Sequence, residues 1–246
     1  MGPLPENLVC LSVDVEWAHA DVLADLVRLL DEHRVRATFF CTHALIEVGA
    51  HERGLHPNFR RNGDTLRALP DGLNDRDVYR HAVRATKEFC PGAIGVRAHS
   101  LHYDTQLTEI YSAEGLQYDS SYCASLVENL RPFRKEHNLL EIPIYYMDHL
   151  DLMDQATGFT VSGLQLQRPG LKVFDFHPNL VFINAHTCAH YEHSKSFYGD
   201  PERLLAARHP GRGIRTLLLE LLAWLRRTGV PTATLGEVNQ LWRTGG

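Results

Sequence analysis

Leu8-Val9-Cys10-Leu11-Ser12-Val13-Asp14-Val15-Glu16 is the stretch whose reading decides the fold. The run from Leu8 to Val13 lacks the alternation of a half-wet strand, so it reads as a strand buried on both faces, as in a parallel sheet covered by helices. Asp14 and Glu16 stand at its C-terminal end. Residues i and i+2 of a strand share a side, so both carboxylates point the same way.

The same alternation continues outward. Val22, Leu23, Leu26, Val27, Leu29 and Leu30 fall on one helical face, and Ala37–Cys41 reads as the next strand. Gly54-Leu55-His56-Pro57 closes a third strand. The charged stretch 60–73 reads as a loop, and Asp75–Lys87 as a helix with Asp75 as its N-cap. Ile94–Arg97, Leu116–Asp119, Glu141–Tyr146, Leu171–Phe176, Leu180–Asn184 and Val230–Thr234 read as strands. Helices are expected at Thr105–Glu114, through Ile214, Leu217, Leu218, Leu221, Leu222 and Leu225, and at Val238–Trp242. Strands alternating with helices imply parallel pairing through right-handed crossovers. About seven such units, with no linker or repeat, predict one α/β domain over residues 1–246, a TIM-like (β/α) barrel. Catalytic groups then belong at the C-terminal strand ends, where Asp14, His56, Arg97, Asp119 and His177 stand.

Composition narrows the function. The chain has 246 residues and 25 Lys+Arg against 30 Asp+Glu, a formal net charge of −5, which argues against nucleic acid as a partner. No apolar run approaches the roughly 20 residues of a membrane span, and the N-terminal stretch lacks the features of a signal peptide, so a cytoplasmic location is expected. The five cysteines are scattered without a C-x-x-C pair and read as reduced. Oligomeric state has no signature here. The 15 histidines direct attention to metal or acid–base chemistry.

Asp14 and Glu16 suit a division of labour, one carboxylate holding a divalent cation and the other accepting a proton. Two solvated acids leading into a helix would satisfy the same pattern. His56 at a strand end is a candidate imidazole ligand, or a hydrogen-bonded structural residue. Arg97, with His99 and His102 nearby, offers a planar fork to lock a carboxylate such as Asp14. His177, before Pro178, is placed to protonate a leaving amine, or simply to close a strand. A rival cluster, His186, His190 and His193, would share one face if helical, though without the zincin pattern. No G-x-S-x-G elbow and no phosphate-cradling glycine loop is present, which disfavours serine-hydrolase and nucleotide chemistry.

In order along the chain, these segments resemble the polysaccharide deacetylase family (NodB homology, carbohydrate esterase family 4), and within it the WbmS-like branch. Ser12-Val13-Asp14-Val15-Glu16 is similar to the family's T-F-D-D-G motif, and Gly54-Leu55-His56 to the start of H-[ST]-x-x-H. Gly95–His99 resembles the R-x-P-Y region, Tyr118–Tyr122 the D-S-S segment, and Phe174–Pro178 the final motif. The resemblance implies a distorted barrel, with Asp14 as base, Arg97 orienting it and His177 as general acid. It further implies a divalent ion, zinc above all, held by Glu16, His56 and Asp14. Four residues after His56 stands Arg60, which cannot ligate a metal, so His99, His102 or Asn58 would complete the site. Trp17, Asn58, Asp119 and Tyr122 become candidate substrate contacts. The expected activity is removal of an N-acyl, chiefly acetyl, group from an amino sugar or surface-polysaccharide precursor. The alternatives are a carbohydrate-binding scaffold that has lost its metal site, or a hydrolase of a small linear or cyclic amide.

Overall fold

A computed structural model describes residues 4–43, 47–60, 66, 69 and 72–245. Most of the expected 60–73 loop lies outside these residues. One nine-stranded sheet organises the molecule. In chain order its strands are β1 (Asn7–Asp14), β2 (Ala37–Cys41), β3 (Glu52–Leu55), β4 (Gly95–Val96), β5 (Tyr118–Asp119), β6 (Phe133–Arg134), β7 (Leu140–Glu141), β8 (Ile144–Met147) and β9 (Gly170–Phe176). Their spatial order is β6-β7-β5-β4-β3-β2-β1-β9-β8, and every pair is parallel except β6 with β7. The sheet curls. The chain leaving β5 returns to its far edge, where Cys123 bridges Ile144 and Ala124 N–H donates to the Ile144 carbonyl at 2.9 Å. This is the (β/α) barrel expected from the alternation, with the distortion that the resemblance implies.

Residue parity explains both the core and the site. Val9, Leu11 and Val13 of β1 face outward, into a large apolar layer shared with Val22, Leu26, Leu221 and Leu222. Leu8 and Cys10 face inward and join Phe40, Tyr118, Leu171, Val173, Leu235 and Val238 in a smaller interior cluster. The inward series continues as Ser12 and Asp14, and at the end of β9 as Asp175 and then His177 just beyond it. The barrel interior is therefore apolar at the N-terminal end of the strands and charged at the other. Gly95 allows this filling, because a Cβ there would collide with the ring of Tyr118.

The helices α1 (Ala20–Glu32), α2 (Asp75–Phe89), α3 (Thr105–Ala113), α4 (Asp148–Asp154), α5 (Pro178–Phe182), α6 (Cys188–Ser194), α7 (Pro201–Ala206), α8 (Ile214–Thr228) and α9 (Leu235–Gly245) complete the chain. α8 buries the expected stripe Ile214, Leu217, Leu218, Leu221, Leu222 and Leu225, and stops at Gly229 in the left-handed region (φ 67°).

Several local expectations need correction. The apolar run Leu180–Asn184 belongs to helix α5 and its end: Pro178 fits the first helical turn, and a short apolar run has no period to separate buried helix from buried strand. Glu141–Tyr146 divides at Pro143 into β7 and β8, which lie apart in the sheet. Asn74, not Asp75, caps α2, its side chain accepting from Asp77 N–H at 2.9 Å. Val230–Thr234 forms only a bridge between Thr232 and Val9.

Candidate active site

Arg97 anchors the strand ends. It is fully buried, its guanidinium 4.4 Å from the centroid of the Phe40 ring. Nε donates to the Ser120 carbonyl (2.8 Å) and Nη2 to Ser120 Oγ (2.9 Å), which fixes the plane of the fork. Nη1 then donates to both Asp14 Oδ1 (3.0 Å) and Asp175 Oδ1 (2.6 Å). Two carboxylates thus share one guanidinium nitrogen, and their environments separate them. Burial opposes the charge on Asp14, but His56, Arg97 and His177 hold its carboxyl below the ordinary range. Burial pushes Asp175 well above it, only partly offset by Arg97.

A second group meets just beyond. His56 Nδ1 lies 2.8 Å from the Arg97 carbonyl oxygen, an acceptor only, so Nδ1 carries the proton and Nε2 the lone pair. That Nε2 is buried and has no hydrogen-bond partner. It faces Glu16 Oε1 at 3.5 Å and Asp14 Oδ2 at 3.7 Å. His99 Nε2 approaches the other Glu16 oxygen at 3.3 Å. Burial raises the Glu16 carboxyl, but His56 and His99 outweigh it and hold the group well below its usual range. Glu16 itself lies two residues beyond β1 in the left-handed region (φ 51°), so a strained turn, not the expected strand parity, precedes its meeting with His56 and His99.

His177 approaches from β9, with Nε2 4.0 Å from Glu16 Oε1. Its Nδ1 donates to Asp148 Oδ1 (2.6 Å), and its backbone N–H donates to Asp148 Oδ2 (2.7 Å). Burial works against the imidazolium, but the Asp148 carboxylate keeps the His177 pKa well above the usual imidazole value.

Two sets of donor atoms could therefore hold a cation. Ligand atoms of Asp14, Asp175 and His177 lie within 4.8 Å of one another, but Arg97 already places a full positive charge between the two acids. The set around His56 Nε2, with Glu16, Asp14 and His99, has an orphaned lone pair and carboxylate oxygens without an intervening cation. Its donors are nitrogen and oxygen, the kinds that a divalent ion takes.

A cavity of about 450 Å³ opens over these groups, and Asp14, Glu16, His99 and His177 are on its wall. Arg60 lines it too, donating through Nη2 to Ser100 Oγ at 3.1 Å. Of the candidate substrate contacts, Trp17 is exposed and packs edge-on against His99, with ring centroids 5.4 Å apart. Asn58 instead accepts from the Arg60 backbone N–H (3.0 Å), shaping a turn. Asp119 is buried beneath Lys135 (2.8 Å), and Tyr122 stands exposed on a neighbouring cavity. Among the rivals, His190 and His193 lie on α6, while His186 precedes its N-cap Thr187. His186 meets His190 and His209, remote from any of these acids.

Asp148 and Asp175 were missed by sequence reasoning. Parity carried a signal for Asp175, which lies on β9 two residues before His177, the residue that follows the strand's end. Asp148 also had one, as the acid that follows the strand-like run ending at Tyr146.

The curled parallel sheet and the polar cluster at its strand ends place the chain among the distorted (β/α) barrels of the polysaccharide deacetylases. A profile of the WbmS-like polysaccharide deacetylases matches residues 11–195, and the chain belongs to that family. WbmS of Bordetella bronchiseptica, described as a polysaccharide deacetylase involved in O-antigen biosynthesis, is 28% identical over 88% of this chain and 90% of its own, with a TM-score of 0.77. A Mycobacterium smegmatis protein described as a polysaccharide deacetylase shares the fold at 16% identity (99% of this chain, 94% of that one, TM-score 0.58). So does a family 4 pseudoenzyme from Bacillus anthracis at 14% identity (95% and 66%, TM-score 0.52). No curated protein sequence matches. No described helix is long and apolar enough to cross a membrane.

Proposed function

We propose that the chain, acting as one catalytic domain, is a metal-dependent hydrolase that removes an N-acyl group, chiefly acetyl, from an amino sugar of a surface-polysaccharide precursor. The observation that carries this is the meeting of Glu16 and His56, 40 residues apart in the chain, at 3.5 Å around a buried, unpartnered Nε2. The family membership and the likeness to WbmS support the sugar substrate.

Glu16, His56 and His99 would hold a divalent ion, zinc by donor chemistry, which when bound polarises the amide carbonyl and acidifies water. Asp14, pinned through Oδ1 by Arg97, presents Oδ2 to take the proton of the attacking water. Water oxygen bonds to the acyl carbon and the C–N bond breaks. His177 supplies the proton to the departing amine from Nε2, its Nδ1 being engaged by Asp148. The products are a carboxylic acid and an amino sugar. Asp148 and Arg97 are positioning residues in this account.

Calorimetric titration of chelated protein with Zn²⁺, alongside acetate release from N-acetylated sugars, tests the proposal. One ion per chain and loss of acetate release in Asp14→Asn are expected. Absence of both would leave the carbohydrate-binding scaffold, the reading that Arg60 on the cavity wall favours. Acetate-independent hydrolysis of ureides would point to a small-amide substrate instead.

A further inference from the structure

Three cavities adjoin in a row. Leu101 lines both the catalytic cavity and a second one of about 590 Å³, whose walls include Tyr103, Tyr122 and Phe133. Arg134 lines that second cavity and a third, of about 450 Å³, formed with Leu4, Arg131, Trp242 and Arg243.

The chemistry changes along the row. The described residues include four exposed aromatics, Trp17, Tyr103, Tyr122 and Phe133. Trp17 packs on His99 beside the catalytic groups, and the other three line the second cavity. Exposed aromatic faces next to charged groups suit the apolar faces and hydroxyls of sugar rings. Among the described residues, the third cavity has three arginines and no acid on its wall. That is unusual in a chain with 30 acids against 25 bases, where Arg28, Arg36, Arg76, Arg84, Arg212 and Arg215 each pair with a carboxylate. Arg131 is held instead by the Pro5 carbonyl (3.2 Å), and Arg243 by the carbonyls of Gln117 (2.7 Å) and Asn138 (2.9 Å). Backbone carbonyls orient these forks without cancelling their charge. Among the described residues no carboxylate pairs with Arg131, Arg134 or Arg243. Guanidinium groups so arranged match the oxygens of a phosphate.

We propose that the substrate is an oligosaccharide whose far end carries a phosphate or pyrophosphate. The acylated sugar occupies the first cavity, the next rings lie against Tyr103, Tyr122 and Phe133, and the phosphate meets Arg131, Arg134 and Arg243. This rests on the hydrolase reading above and extends it. A nucleotide sugar fits less well, because its pyrophosphate is attached to the acylated ring itself and would fall in the aromatic cavity, beside Arg134 but short of Arg131 and Arg243.

Calorimetry with four probes tests the assignment: inorganic pyrophosphate, triacetylchitotriose, triacetylchitotriose 1-phosphate and UDP-N-acetylglucosamine. Pyrophosphate is expected to bind in a way that Arg134→Gln and Arg131→Gln each weaken at least tenfold. The phosphorylated trisaccharide is expected to bind at least tenfold tighter than the free one, and the gap to vanish in both variants. Pyrophosphate binding that is absent or indifferent to both variants, or equal affinity of the two trisaccharides, overturns the proposal. So does a nucleotide sugar that binds tighter than the phosphorylated trisaccharide and is weakened at least tenfold by both variants. These readouts are of binding alone, so loss of acetate release with the arginine-dependent affinities intact would refute the hydrolase reading and not the anion site.

Discussion

Two histidine clusters stand in this molecule, and their difference is instructive. At the strand ends, His56 and His99 converge on the carboxylates of Glu16 and Asp14, with the His56 Nε2 lone pair buried and unanswered. In the other, His186, His190 and His209 meet one another with no carboxylate partner among the described residues: His186 stacks on His209 at 3.7 Å, and its Nδ1 lies 3.1 Å from that of His190. His190 Nε2 lies 2.9 Å from the Ala207 carbonyl oxygen, so it donates there, and His190 Nδ1 is left to accept from His186. Burial and the neighbouring rings His209 and His190 hold the His186 pKa below its ordinary value. Both clusters are rich in imidazole, yet only the first combines a free lone pair with negative charge. Ligand count alone does not make a cation site.

The largest expected break in that comparison is catalytic. Asp14→Asn should lower acetate release by about 10²- to 10⁴-fold, the usual weight of a general base, while His190→Ala leaves it unchanged. Initial rates on one N-acetylated sugar decide this, and an equal loss in both variants removes the distinction. Arg97→Met should cost about 3–5 kcal/mol in urea unfolding, because Asp14 and Asp175 lose the one cation they share in a fully buried site.

Cation binding sharpens the contrast further. His56→Ala should weaken Zn²⁺ by more than the roughly 10- to 100-fold typical of losing an outer partner, with His186→Ala as the indifferent control. The pH dependence of stability comes next. Burial and the Asp119 charge raise Glu141 to about 8, and the neighbouring acids lift His56 and His177 above their ordinary values. Groups whose pKa rises on folding stabilise the fold below their ordinary values and lose that contribution as pH climbs through the folded ones. Chelated protein should therefore melt at a lower temperature at pH 8.5 than at pH 6, by on the order of 1 kcal/mol per pH unit from Glu141. Glu141→Gln should flatten the slope, and an unchanged slope contradicts the assignment. The smallest effect is expected from His186→Ala, within about 1 kcal/mol of the parent in the same unfolding measurement.

Much of the site was legible because strand parity is strict. Once Leu8–Val13 is a strand, Asp14 must share a side with Ser12 and Cys10, and Asp175 with His177. The pairing of Arg97 with Asp14, which the motif resemblance implied, is present at 3.0 Å. The ligand to complete the site was left among His99, His102 and Asn58, since nothing local distinguishes them. Only His99 reaches Glu16; His102 turns away to Tyr79, with His102 Nε2 3.3 Å from the hydroxyl.

The sequence alone determined the alternation of buried strands and amphipathic helices, and the placement of acids, imidazoles and one arginine at strand ends, because those follow from periodicities of 2 and 3.6 residues. Tertiary structure decided which strand ends face one another, which imidazole nitrogen keeps its lone pair, and that three arginines with no carboxylate partner among the described residues gather in one cavity. Such facts depend on sheet order and curl, which bring together residues that no local pattern links.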